Sequence, residues 1–284
     1  MIQHDVRIAL AALPVSLDPK YSAETKRIYA PHQSGATDGV TVSRDVAYGP
    51  HERHRLDVYH VAGTRPSGAV IYVPGGGFTG GDKGGFANVC SYFARRGMLG
   101  VAINYRLTPE VRWPAGAQDV DRAVAWIGAN AGTFGATSGQ TVVFGHSAGG
   151  SHVASFLFDP DIRGHEKVAA GVLVSGASYV LRPGEVRGGS VTYFGDDTSR
   201  FARMSAVNHV AGTKVPVLLA VAEHDPDFLV TPTLELAIAI ARRDGRCPPL
   251  YRLEGHNHFS PPCSLGTSDD QLGGAVMGLI QGLP

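Results

Sequence analysis

The pentapeptide Gly145-His146-Ser147-Ala148-Gly149 follows the apolar run Thr141–Phe144 and opens the helix-like stretch Ala148–Phe158. A serine held in a tight strand-to-helix turn needs small neighbours to clear the turn, and Gly145, Ala148 and Gly149 supply them. Such a turn lifts the Ser147 hydroxyl above the sheet edge. It also brings the Ala148 N–H, at a helix N-terminus, to the same space. A nucleophile with an oxyanion donor beside it is the chemistry these letters allow. The competing reading is a glycine-lined turn with Ser147 as a plain helix cap.

A second cluster, Pro74-Gly75-Gly76-Gly77-Phe78, ends the apolar run Ala69–Val73. Consecutive glycines let backbone N–H groups approach a ligand with no side chain in the way. Two of these with the Ala148 N–H would make an oxyanion hole, each donor stabilising the transition state by about 3–4 kcal/mol. Phosphate binding is disfavoured, because G-x-x-x-x-G-K-[ST] and G-x-G-x-x-G are both missing.

A serine hydroxyl also needs a base, and the base an orienting acid. The run Val215–Ala222 is followed by Glu223, Asp225 and Asp227, and Leu250–Leu253 by His256 and His258. Asp225 is the preferred acid, because Pro226 stiffens its loop. The histidines stay open at this level: residues two apart on an extended chain point the same way. Without a cysteine partner or H-x-x-x-H spacing they do not read as a metal site.

The elements that must position these residues can be read from the same runs. Short apolar stretches bounded by turn residues (69–73, 100–104, 141–144, 168–174, 215–222 and 250–253) read as strands buried on both faces. Between them Phe86–Arg96, Ala117–Ala129, Ala148–Phe158 and Thr233–Arg243 carry helical spacing, and Asp269–Ile280 reads as a closing amphipathic helix. The alternation predicts an α/β fold with a mostly parallel, doubly wound sheet flanked by helices. Val40–Ala47 and Arg55–Tyr59 read as two leading strands, and residues 1–39 as a helical segment of separate character.

Composition narrows the classes. The 284 residues, with 25 basic and 25 acidic side chains and a formal net charge of +0, carry no electrostatic footprint for nucleic acid or an anionic membrane. Cys90, Cys247 and Cys263 are too few for a disulfide framework and read as packing thiols of a reducing compartment. The stretch Ile8–Val15 is too short for a signal peptide, and no apolar run approaches a membrane span. A cytoplasmic protein without a metal or organic cofactor is expected.

Taken together, the residues resemble the α/β-hydrolase superfamily, in particular its hormone-sensitive-lipase-like and kynurenine-formamidase-like esterases. The resemblance runs from about Val40 to the C-terminus. It rests on Leu56-Asp57-Val58-Tyr59, the loop Gly75-Gly76-Gly77-Phe78, Asn104-Tyr105-Arg106-Leu107, Trp113-Pro114-Ala115, Gln118-Asp119-Val120, the serine pentapeptide with Gly150, and His258-Phe259. It implies Ser147 as nucleophile, the acid in the Glu223–Asp225 loop, and the histidine before phenylalanine, His258, as base. It further implies oxyanion donors at Gly76, Gly77 and Ala148 and an N-terminal helical cap over the pocket, within residues 1–39. Residues 40–284 would form the catalytic domain, with Phe78, His146 and Tyr193 as expected substrate-binding residues. Pro74 departs from the His-Gly-Gly usual in these families, so proline rigidity would have to replace the histidine side chain. The expected activity is hydrolysis of carboxylic esters with small or medium acyl groups. The alternatives are a small amide such as an aryl formamide and, remotely, a non-catalytic small-molecule receptor. The expected partner is a small molecule, and a homodimer is compatible with the sequence.

Overall fold

A computed structural model describes residues 3–137, 140–162, 164 and 168–283. Eight strands form one sheet: β1 (Thr41–Ala47), β2 (Arg55–His60), β3 (Gly68–Val73), β4 (Leu99–Ile103), β5 (Gln140–His146), β6 (Ala170–Val174), β7 (Val217–His224) and β8 (Leu250–Asn257). Their order is β1-β2-β4-β3-β5-β6-β7-β8. β1 and β2 pair antiparallel, as do β2 and β4, and every later pairing is parallel. This is the mostly parallel sheet that the alternation of runs predicts, in the strand order expected from the α/β-hydrolase resemblance.

The helices are α1 (His4–Ala11), α2 (Pro19–Tyr29), α3 (Ala87–Ala94), α4 (Ala115–Asn130), α5 (Ala148–Phe158), α6 (Gly189–Phe194), α7 (Phe201–Met204), α8 (Asp227–Asp244), α9 (Ser260–Ser264) and α10 (Gln271–Gln281). Strands β3 to β6 are apolar without alternation because both faces are covered. On one face Ile71, Val101 and Leu219 pack with Val120, Val153 and Leu236 of α4, α5 and α8. On the other, Val70, Phe144 and Leu218 pack with Val89 and Phe93 of α3 and Val276 of α10. Cys90 and Cys263 are buried, and Cys90, Cys247 and Cys263 are all free thiols.

Of the boundaries that differ from the sequence reading, two shape the site. β8 runs past Leu253 to Asn257, because Gly255 takes φ 78° and donates its N–H to the Glu223 carboxylate at 2.7 Å. The β7–β8 register shifts between Ala222 and His224, an irregularity of the kind that re-aims side chains at a strand end. α8 begins at Asp227, not Thr233, directly after Pro226. The N-terminal segment folds as α1 and α2, with Val6, Leu10 and Tyr29 packed on Cys263. Its first two residues lie outside the described residues. Among the described residues no helix is long and apolar enough to cross a membrane.

Candidate active site

Ser147 stands between β5 and α5 with φ 56° and ψ −124°, a conformation that costs a non-glycine residue roughly 1–3 kcal/mol. The turn closes so tightly that a Cβ at Gly149 would sit 2.0 Å from the Val73 carbonyl oxygen. Glycine there is a steric requirement of this elbow. Ala148 is the first residue of α5, so its N–H has no intrahelical acceptor.

His258 Nε2 lies 2.9 Å from Ser147 Oγ, and His258 Nδ1 lies 2.8 Å from Asp225 Oδ1. Burial pushes the Asp225 carboxyl up. Hydrogen bonds from His258, from the Ser175 hydroxyl at 2.6 Å and from the Ala222 N–H at 2.8 Å outweigh it and hold the group below its ordinary value. An ionised carboxylate only accepts, so the Nδ1 proton must point at Asp225. Nε2 then presents its lone pair to the Ser147 hydroxyl.

The second histidine goes elsewhere. His256 is fully buried, with Nδ1 2.8 Å from Ser260 Oγ and Nε2 2.8 Å from Asp269 Oδ2, the latter outside hydrogen-bond geometry. Two rings spaced by two residues therefore do not share a pocket: His256 lies within β8, whereas His258 sits in the turn that follows the strand's end at Asn257. The other candidate acids also have distinct positions: Glu223 pairs with Arg252 at 2.8 Å, and Asp227 caps its neighbour's N–H at 2.8 Å.

The glycine loop meets the elbow. A Cβ at Gly75 would come within 2.8 Å of Ser147 Cβ. Gly76, Gly77 and Phe78 follow with φ 149°, 59° and 67°. Where the sequence puts Pro74, the Tyr105 hydroxyl donates to the Pro74 carbonyl at 2.8 Å. Arg53 ties the far side, donating to Tyr105 O at 2.7 Å and Gly81 O at 2.8 Å. Phe78 O accepts from the Thr108 N–H at 3.0 Å. Arg106, also in the matched sequence text, is fixed by buried Asp119 at 2.7 Å, which also meets His54 at 2.9 Å.

Ser147, Ala148, His258, Gly76, Gly77 and Phe78 line one pocket of about 1170 Å³, with Val15, Leu17 and Lys26 of the N-terminal segment on its wall. His146 lines it too, but its Nε2 donates to the His258 carbonyl at 2.8 Å. Burial, with the neighbouring His258 adding to it, pushes the His146 value down to about 3, so its ring is neutral and braces the loop. Tyr193 is the sequence candidate that the structure does not bring to the pocket. It is 2% exposed, stacks on Phe78 with centroids 4.7 Å apart and accepts the Gly116 N–H at 3.0 Å. Tyr193 supports the wall from behind, because Phe78 occupies the space between it and the cavity.

Ser175, Tyr105 and Arg53 escaped the sequence reading as site residues. Ser175 carried one usable signal: it ends the β6 run, one strand over from Ser147, and takes φ 53°. Tyr105 and Arg53 act through backbone carbonyls of remote loops, which leaves no local pattern.

Known proteins match this chain in sequence and in fold. Residues 56–158 match the family model described as BD-FAE. The chain is 37% identical over 118 residues to the probable carboxylic ester hydrolase LipM of Mycobacterium tuberculosis, 39% of this chain and 27% of that one. It is 25% identical over 194 residues to a chlorogenic acid esterase of Aspergillus niger, 60% of this chain and 36% of the other. The chain thus spans about a quarter to a third of the length of these curated relatives. Among solved structures, a putative thioesterase from Silicibacter sp. TM1040 superposes with TM-score 0.70 at 22% identity, covering 98% of this chain and all (100%) of that one. Esterase B of Lactobacillus rhamnosis gives TM-score 0.70 at 18% identity over 98% of this chain and 94% of its own. Sheet order, serine elbow and these matches agree on the α/β-hydrolase fold.

Proposed function

We propose that the chain is a serine hydrolase of carboxylic esters with small or medium acyl groups. The observation that carries this reading is the continuous hydrogen-bonded line Ser147–His258–Asp225, its serine facing the pocket beside the first N–H of α5. Ser147 Oγ attacks the ester carbonyl while His258 Nε2 takes its proton. The carbonyl oxygen becomes an anion that the N–H groups of Gly76, Gly77 and Ala148 hold. Asp225 fixes the imidazole's tautomer and stabilises its positive charge. His258 then returns the proton to the leaving alcohol, and water repeats the sequence on the acyl-enzyme. Nothing in these steps calls for a metal or an organic cofactor.

The N-terminal segment, with Val15 and Leu17 on the pocket wall, acts as a partial cap in this proposal. The relatives named as ester hydrolases support the reaction class. Three free thiols are consistent with work in a reducing, cytoplasmic setting.

The test is a panel of nitrophenyl esters of rising acyl length with an aryl formamide and an aryl acetamide, alongside fluorophosphonate labelling. Ester turnover with labelling lost in Ser147→Ala is expected. Peak activity on the formamide with negligible ester turnover would move the assignment to an amidase, and absence of labelling would remove the nucleophile.

A further inference from the structure

The charges around the pocket do not balance, although those of the chain do. Four cationic side chains line it, Lys26, Arg53, Arg182 and Arg187, against two acidic ones, Asp82 and Glu185. The whole chain has net charge +0. Arg182 is committed to Glu235 and, at 3.5 Å, to Glu185. Arg53 is held by two backbone carbonyls and lies within electrostatic reach of Asp82. That leaves Lys26, on α2, and Arg187, just before α6.

Among the described residues neither Lys26 nor Arg187 makes an ion pair; each rests on an aromatic face. Lys26 Nζ is 5.1 Å from the Phe86 ring centroid, and the Arg187 guanidinium carbon is 5.3 Å from that of Phe228. Both rings line the pocket as well. A ring face is a weaker partner than a carboxylate, and both side chains are exposed at the rim, so either cation can turn to an incoming anion at small cost. The rings meanwhile restrict where the cations sit when the pocket is empty. The apolar lining residues Val15, Leu17 and Leu181 give no reason to keep uncompensated cations there.

We infer that the pocket takes esters bearing a second, ionised carboxylate, such as half-esters of dicarboxylic acids, with Lys26 and Arg187 as the anchors of that carboxylate. This rests on the ester-hydrolase reading of Ser147. The cations select among esters and take no part in the bond changes at the carbonyl.

Nitrophenyl hydrogen glutarate and nitrophenyl valerate, which have acyl chains of equal length and differ in terminal charge, test it. For the native chain the ratio of kcat/KM, glutarate to valerate, is expected above one at low salt and falling as salt rises. Lys26→Gln and Arg187→Gln are each expected to lower that ratio about threefold to tenfold, chiefly through KM. A ratio below one, or one indifferent to salt and to both substitutions, overturns the inference. Titration of Ser147→Ala with methyl hydrogen glutarate and methyl valerate keeps the question separate from turnover. Tighter, salt-sensitive binding of the anionic ester supports the inference, and equal or weaker binding overturns it, whether or not either ester is cleaved. A chain that cleaves the valerate but fails the ratio test keeps the ester-hydrolase reading and loses only this one.

Discussion

The Tyr105 hydroxyl donates to the Pro74 carbonyl at 2.8 Å, from a ring that is 1% exposed and set edge-on to His152 at 4.5 Å. Proline has no N–H and a fixed φ, but its carbonyl can still rotate with ψ. The tyrosine therefore fixes the one backbone freedom left at the head of the glycine loop. Tyr105→Phe is expected to keep the fold, lose about 1 kcal/mol of stability for the buried hydrogen bond, and lower kcat about tenfold with little change in KM. Steady-state kinetics with a urea titration checks this, and an unchanged kcat would mean that Pro74 alone holds the loop.

His258 and His256 should separate sharply. His258→Ala is expected to slow acylation by roughly 10⁴–10⁶, the range for a lost triad member. His256→Ala should cost about tenfold in acylation but about 2–3 kcal/mol in stability, since it empties a fully buried site beside Ser260 and Asp269. Single-turnover acylation rates read beside urea midpoints distinguish the two, and the reverse order of damage would make His256 the base.

Ser147 offers a prediction about strain. At φ 56° and ψ −124° glycine is comfortable and alanine is not. Ser147→Gly and Ser147→Ala both lose the hydroxyl and should both be inactive. The glycine variant should nonetheless be more stable than the alanine variant by about 1 kcal/mol, after its own entropic cost. Denaturant midpoints in the opposite order would show the elbow to be relaxed.

Two buried histidines set an acid limit on stability. Burial pushes His146 and His152 down to about 3 from an ordinary 6.5. Unfolding exposes both rings, so below pH 6.5 the unfolded chain binds protons that the folded one refuses. Stability should therefore be fully present above pH 6.5 and fall as pH drops toward 3, by up to about 1.4 kcal/mol per pH unit for each ring. Asp225, also depressed, works in the same direction but only as pH falls below the ordinary 3.8. Urea unfolding between pH 7 and 4.5 should show the decline, with His152→Met roughly halving its slope. A flat profile over that range would place water or a hidden partner at these rings.

How much of this was visible in the letters depends on how far the decisive contact reaches. The serine elbow was legible because strand, turn and helix N-terminus all lie within one stretch of chain. Asp225 was legible from its place after β7 and before Pro226. The choice of His258 needed more than pattern, because β8 ends at Asn257, so His258 turns to Ser147 while His256, inside the strand, meets Ser260 and Asp269. Tyr193 was misplaced for a similar reason: an aromatic expected at the pocket can stand in a second layer, behind Phe78. Ser175, which reaches Asp225 from another strand, depends on adjacency in the sheet and on nothing local.

β8 has a neighbour on one side only, at the edge of the sheet, and it leads directly into His258, the proposed base, which meets a serine 111 positions earlier in the chain. Edge elements are the first to open in partial unfolding. An excursion that peels β8 from β7 would carry His258 away from Ser147 while β3 to β6, the elbow and the glycine loop stay assembled. Turnover is then a sentinel for the integrity of that single margin. Under heat or denaturant it would fade before the bulk of the protein does, and it would return first on relaxation, because only one strand has to dock again.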